Sequence, residues 1–438
     1  MDSIRRAGAC ASVLLLLSVA GAAAEPAADA TAPWTLDYCI QTAFEKHGDV
    51  LVAEQNIEAA RAQHRSAGSS LFWPTISARS TRTEGETEAK QSGTTVRRVG
   101  KTSDEQHLLS GSITLWDGGT QRLSLRQARA GETSAEMGLR RARQTIVLSV
   151  TSAYIQLLRA RHTLAVTEQK MKQIEEQKKM VQARIEVGDA ADVDIYPIEA
   201  QLASARVEQV RAASDVRVAG SALRNAMGLE GGAVPTVAEL PAEWPEVPSL
   251  EECRRLAHEA RPELAQSLAS IERERASVSL SKLRLLPQLT SSARWDRGLG
   301  GSSIVSQWSI NAGVSWSFFN RGDRADVDAA KASLRATEEQ HQQLLKNIDA
   351  EVEQAYLALA SARERIAASQ ASVEAARKSL EAAEAKYRLD LAIPLEIIDA
   401  QVAYSNAELQ AVEARYDYYL ACAQLDRAIG RDWQNGTP

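Results

Sequence analysis

Trp308-Ser309-Ile310-Asn311-Ala312-Gly313-Val314-Ser315-Trp316-Ser317-Phe318-Phe319-Asn320-Arg321-Gly322 is the stretch on which the fold turns. Side chains of an extended chain point alternately to its two sides. Trp308, Ile310, Ala312, Val314, Trp316 and Phe318 therefore share one face, and Gln307, Ser309, Asn311, Gly313, Ser315 and Ser317 the other. A strand of a soluble sandwich can alternate in this way. The length, with tryptophan near each end, fits better a barrel strand with lipid outside and water inside. Lipid contact is expected at Trp308, Ile310, Val314, Trp316 and Phe318.

Upstream, Pro287 to Trp295 alternates more weakly, and a polar stretch, Arg297 to Ser306, reads as an exposed loop between the two strands. Downstream, Leu359, Ile366, Val373, Leu380 and Tyr387 recur every seven residues. That period marks helices packed as coiled coils. A neighbouring stripe of Ala362, Ser369, Ala376 and Ala383 permits close approach.

The same plan occurs earlier in the chain. Leu36-Asp37-Tyr38-Cys39 recurs as Leu250-Glu251-Glu252-Cys253, Ala153-Tyr154 as Ala355-Tyr356, and Asn225-Ala226-Met227-Gly228 as Arg427-Ala428-Ile429-Gly430. The heptad stripe has its counterpart in Leu157, Leu164, Met171, Lys178 and Ile185, with Lys178 breaking it. Two repeats are expected, 25–230 and 250–438, joined by a linker, 231–249. Each reads as a helix, a strand pair (about 74–116 and about 287–319), and a long helical hairpin. The opening helices are expected over Leu36–Ser70 and Leu250–Leu286, stopped by Pro74 and Pro287. In the first half Thr75–Thr83 is the weakest strand, Leu109 to Leu115 the clearer one, and Glu84–Gln106 reads as an exposed loop. Gln121 to Val187 spans about 67 residues, roughly 100 Å at 1.5 Å per residue, too long for a compact domain.

Each hairpin has its own turn. In the first, Val187-Gly188-Asp189-Ala190-Ala191-Asp192, Gly188 suits a left-handed helix end and Asp192 a cap. In the second, Leu389-Asp390-Leu391-Ala392-Ile393-Pro394, Pro394 suits a first helical turn.

The N-terminus carries Arg5 and Arg6, an apolar run Val13–Ala20, and Ala22-Ala23-Ala24. This is the form of a secretory signal peptide, 1–24, and the run is too short for a membrane anchor. Cys10 precedes the run, so no lipid anchor is expected. No later segment is apolar enough to span a bilayer as a helix. The formal charge is −6, and losing Asp2, Arg5 and Arg6, net +1, with the leader gives −7. Nothing in that mild acidity points to nucleic acid. Cys39, Cys253 and Cys422 would remain in an oxidising compartment; buried free thiols are expected over a disulfide. His47, His64, His107, His162, His258 and His341 show no metal-ligand spacing, and no phosphate loop or nucleophile elbow occurs. No catalytic residue, metal or cofactor is expected.

Signal peptide, duplication, paired strands and long hairpins together resemble the TolC-like outer-membrane efflux proteins, from Trp34 to Trp433. The motifs that carry the resemblance are Leu115-Trp116-Asp117-Gly118-Gly119, Ser317-Phe318-Phe319-Asn320-Arg321-Gly322, the two Ala-Tyr pairs, and Asp399-Ala400-Gln401. The resemblance implies a mainly α fold with a transmembrane β-barrel portion, four strands per chain. A homotrimer would then build a twelve-stranded barrel and an α-helical tunnel, with short helices and the linker belting it. It implies an outer-membrane exit duct working with a periplasmic adaptor and an inner-membrane pump of RND or ABC type. Pore and gate candidates are then Glu396, Asp399, Tyr387 and Asp390, where the family carries a glycine at the last. Adaptor contacts would fall at Val187, Gly188, Asp189, Ala190, Leu389, Ala392, Ile393 and Pro394. Ala392 stands where some members place a latching arginine. The competing expectation is an exported coiled-coil scaffold or adaptor without a channel.

Overall fold

The computed structural model describes residues 33–69, 73–91, 94–188, 191–240, 248–300, 303–317, 319–389, 391 and 394–433. The expected leader, 1–24, lies outside the described residues. So do five of the expected site residues, Asp189, Ala190, Asp390, Ala392 and Ile393, together with Phe318.

The two halves repeat one order of elements. α1 (Leu36–Lys46), α2 (Gly48–Ser69), β1 (Thr75–Gln91), β2 (Thr94–Trp116), α3 (Thr120–Glu186) and α4 (Ile195–Ala226) form the first. α5 (Leu250–Ala260), α6 (Pro262–Leu283), β3 (Gln288–Gly300), β4 (Ser303–Ser315), α7 (Arg321–Arg388) and α8 (Pro394–Ala428) form the second. α3 and α7, of 67 and 68 residues, are rods about 100 Å long.

The opening helix of each half is two helices, not the one expected from the sequence. The backbone is extended at His47 (φ −73°, ψ 127°) and at Arg261 (φ −67°, ψ 122°). Each break is where another helix end arrives. Gly228, after α4, has φ +72°, and a Cβ there would lie 2.8 Å from the Lys46 carbonyl oxygen. Gly430, after α8, has φ +75°, and a Cβ there would lie 2.9 Å from Arg261 N. Only glycine allows both the left-handed backbone and the close approach. In the second half Arg261 adds a lock: its Nε donates to the Ala428 carbonyl at 2.6 Å, and its guanidinium pairs with Glu351 at 2.7 Å.

The consequence is four parallel rods per chain. α3 and α7 run unbroken. α4 abuts the start of α2, and α8 abuts the start of α6, making two stacked rods. Side-chain ties follow this plan: Arg61 and His64 of α2 meet Glu132 of α3 (3.5 and 2.6 Å), while Lys170 and Lys178 of α3 meet Glu208 and Glu199 of α4 (2.8 Å each). Lys178, which interrupts the heptad stripe, is thus held by a carboxylate. α3 packs against α6 and α8, and α7 against both as well. α2 and α6 therefore extend the rods; α1 and α5, packed on α3 and α7, are the short helices that flank them.

The core is duplicated too. Leu36, Cys39, Ile40 and Ala43 of α1 pack with Val150, Tyr154, Leu157 and Leu158 of α3. Cys253 and Ala257 of α5 pack with Ile348, Val352 and Leu359 of α7. The Tyr154 hydroxyl donates within reach of the Trp34 and Ala238 carbonyls (2.9 and 2.6 Å), tying the start of the chain and the linker to α3. Cys39, Cys253 and Cys422 are buried and unbridged.

The strands form one antiparallel sheet, β1-β2-β3-β4. Both stretches that read as loops from the sequence are largely strand: Glu84–Gln91 continues β1, Thr94–Gln106 begins β2, and Arg297–Gly300 and Ser303–Ser306 extend β3 and β4. Apolar alternation is weak in the sequence of these segments. Backbone pairing and residues such as Thr83, Thr87, Thr94, Val96 and Val99 suffice.

Candidate functional site

The sheet register sorts its side chains. Directly opposed residues face the same side, and the rows Ile76–Gly111–Ala293–Ile310 and Ala78–Leu109–Trp295–Trp308 are built of such pairs. Below them lie Ile113–Ser291–Ala312 and Leu289–Val314. All these fall on one face. The other face carries Ser77–Ser110–Arg294–Ser309, Ser112–Ser292–Asn311 and Thr114–Thr290–Gly313. There the Ser77 and Ser110 hydroxyls bond at 2.8 Å and Arg294 pairs with Asp296 at 2.8 Å.

The apolar face is uncovered: Trp308, Ile310 and Val314 are 74%, 69% and 70% exposed. Three such residues in one strand, aligned with Ile76, Leu109 and Trp295, make a continuous apolar surface that water alone does not favour. From Trp308 to Trp316 is about 27 Å of extended chain before tilt, the scale of an outer-membrane apolar band. Trp316 lies just past β4, and its Nε1 donates to the Leu285 carbonyl at 3.1 Å. It lies at the helix-side end of the apolar face rather than mid-strand. Exposed Trp73, Trp116 and Phe319 lie at the same end, and the expected set omitted them.

Each strand pair enters its long helix through an Asp or Asn. Asp117 accepts from the backbone N–H of Gly119 (2.9 Å) and Gln121 (2.8 Å), with Gly118 and Gly119 at φ +69° and +103°. Asn320 Oδ1 accepts from Gly322 N at 3.0 Å. These bonds occupy donors that a helix start leaves without partners.

At the far end of the rods are the two turns. Gly188 has φ +80°, as its place required. Asp192 sits inside a short 3-10 turn, Asp192–Asp194, and does not cap α4; Asp194, at the N-cap of α4, gives no side-chain cap either, its carboxylate accepting instead from Ala191 N at 3.3 Å. The 3-10 turn moves the cap position from Asp192 to Asp194. Pro394 opens α8 as expected. The turns present bare apolar side chains: Val187, Leu389 and Leu391 are 75%, 70% and 73% exposed.

Tyr387 is buried with Leu380, Ile397 and Ala400 between α7 and α8, and the Arg184 guanidinium from α3 lies 4.9 Å from its ring centre. Ile398 points the other way, into the core of the first hairpin with Ile174, Val181 and Ile198. α8 is therefore fixed on two sides. Glu396 and Asp399, at i and i+3 on the remaining side, are exposed. Arg184 and Ile398 carried no signal in the sequence, because contacts between hairpins leave no periodic trace within either.

Residues 39–229 and 254–431 match the family model described as outer membrane efflux protein. The chain belongs to the outer membrane efflux protein family. It is 24% identical over 414 residues to the probable efflux pump outer membrane protein TtgC of Pseudomonas putida, covering 92% of this chain and 84% of that one. It is 23% identical over 359 residues to the outer membrane protein TolC of Vibrio cholerae, covering 77% and 80%. The Campylobacter jejuni CmeC outer membrane channel has the same fold, with a TM-score of 0.78 at 18% identity over 90% of this chain and 85% of that one.

This outer membrane efflux protein is thus an outer-membrane channel component. Its long helices extend into the periplasm. The scaffold alternative is not supported, since it leaves the exposed apolar sheet unexplained. Among the described residues no group of three potential metal ligands occurs.

Proposed function

We propose that three copies of this chain form a passive duct from periplasm to exterior. The observation that carries this is that both layers end on open edges. β1 and β4 each lack one neighbour, and a sheet facing lipid cannot leave backbone donors and acceptors unpaired. The α2/α4 rod and α7 are likewise the outermost rods of the chain. α4 bears exposed Tyr196, Val207 and Val218 at eleven-residue spacing, with Val210 beside them. Four strands enclose no interior, whereas twelve do; four rods per chain give twelve helices around one tunnel.

In this assembly the bare tips, Val187 and Gly188 with Leu389, Leu391 and the neighbouring Asp189, Ala190, Ala392, Ile393 and Pro394, receive a periplasmic adaptor, and an RND or ABC pump in the inner membrane supplies the energy. Glu396 and Asp399 ring the inner end of the tunnel, with Tyr387 and Asp390 beside them. The mass of the detergent-purified particle and its conductance in a planar bilayer test the proposal. Three subunits per particle and a discrete pore are expected; a monomer that stays soluble without detergent and conducts nothing would overturn it.

A further inference from the structure

One step above the Trp295–Trp308 pair, the lipid-facing side of the sheet turns from apolar to basic. The next row on that face is Ser80–His107–Arg297–Ser306. All four residues are exposed. The Ser80 hydroxyl bonds His107 Nδ1 at 3.0 Å, which leaves Nε2 for an outside partner. Among the described residues no carboxylate pairs with Arg297, and those nearby are engaged. Glu84 and Glu105 hold Arg82 at 2.8 and 3.3 Å, and Asp296 is on the opposite face with Arg294.

We propose that Arg297 and His107 clamp the phosphate group of an anionic lipid in the leaflet bordered by Trp295 and Trp308. Adjacent strands lie about 4.8 Å apart, so both side chains can reach one tetrahedral anion. The guanidinium fork suits two phosphate oxygens, and the imidazole Nε2 and the Ser306 hydroxyl can supply further donors. Tryptophans at headgroup depth fix the height of the row, placing its cation where lipid phosphates lie. The basic row would also anchor the barrel vertically, since sinking it into hydrocarbon would desolvate Arg297.

The proposal rests on the membrane placement of the sheet, and the test separates the two. The full-length protein is reconstituted in phosphatidylcholine doped with phosphatidic acid and re-extracted in detergent, and retained lipid is counted by native mass spectrometry. Wild type should keep phosphatidic acid in preference to phosphatidylcholine. Arg297→Ser should cut that retention about fivefold, and the Arg297→Ser/His107→Ser double variant further. Arg79→Ser, on the lumen-facing side next to Ser80, should change nothing, and heat-resistant oligomers on a gel show that each variant assembles. Inorganic phosphate should not displace the lipid, because the acyl chains hold it beside the tryptophans. Undiminished retention in the assembled double variant overturns the clamp, and full displacement by inorganic phosphate overturns the assignment to lipid. Loss on Arg79→Ser with none on Arg297→Ser would show the sheet faces reversed, and membrane placement would fall with the clamp.

Discussion

At the scale of single residues, the two glycines that end α4 and α8 separate conformational need from mere occurrence. Gly228 and Gly430 combine positive φ with backbone at 2.8 and 2.9 Å from an added Cβ. Gly430→Ala should therefore cost about 2 kcal/mol or more, read as a lower temperature for dissociation of the oligomer. Gly131, inside α3, has nothing within 4 Å of an added Cβ. Gly131→Ala should be neutral or stabilising by up to about 1 kcal/mol. Equal loss from both would refute the joint. The cysteines give a second residue-scale test. Burial pushes the thiols of Cys39 and Cys422 from the ordinary 9.0 up to about 12. The folded chain keeps these protons where the unfolded chain would release them. Their contribution to stability is full below pH 9 and declines as pH rises from there toward 12. Maleimide at pH 8 should leave both unlabelled in the folded protein and label both after denaturation; ready labelling of native Cys39 would contradict its burial.

At the scale of elements, the sheet makes a face-specific prediction. Val314 and Asn311 are three residues apart in β4 and point to opposite sides. Val314→Arg places a charge in hydrocarbon and should cost about 2–4 kcal/mol near the midplane. Asn311→Arg should assemble and alter conductance. Assembly yield of heat-resistant oligomer distinguishes them, and equal damage would mean that the register is wrong. This same alternation is why β4 was legible in the sequence from Trp308 to Val314. The long helices were legible for a related reason: Leu359 to Tyr387 repeats at the coiled-coil period because every turn meets a neighbour. Where apolar alternation stops, legibility stops. Glu84–Gln106 is mostly strand, yet its sequence shows no apolar alternation. The breaks at His47 and Arg261 are set by helix ends that arrive from some 180 and 170 positions away in sequence, so local pattern carried them continuously across; only Pro262 hinted at one of them. The Asp117 and Asn320 turns lay inside quoted motifs, yet their capping role came from geometry alone.

At the scale of the whole molecule, the proposed trimer is what gives the unpaired edges neighbours. Val207 and Val218 lie on the exposed side of α4 at eleven-residue spacing, a period that keeps one stripe facing a neighbour along a helix. The Val207→Glu/Val218→Glu double variant should shift detergent-purified protein from trimer toward monomer, measured by light scattering, while Glu at exposed Val52 on α2 serves as a comparison of the upper rod. An undisturbed trimer would remove this stripe from the interface. The proposed threefold assembly would also decide what Glu396 and Asp399 do. Ile397 and Ala400 face α7, Ile398 enters the first hairpin's core, and the two carboxylates occupy the side that neither hairpin covers. If that side lines the tunnel, symmetry makes two rings of three carboxylates one helical turn apart. Converging like charges raise the local negative potential, favour cations and create a site for multivalent ones. Glu396→Gln with Asp399→Asn should then lower cation selectivity and weaken block by trivalent ions in single-channel recordings. A first-turn role in favouring the helix dipole predicts something different: lower stability of α8 with selectivity and block unchanged. Because Ile397 and Ile398 are left in place, the double variant keeps both hairpin contacts of α8. A loss of selectivity can therefore be assigned to the charges, and unchanged selectivity would take the gate from these residues while leaving the duct itself intact.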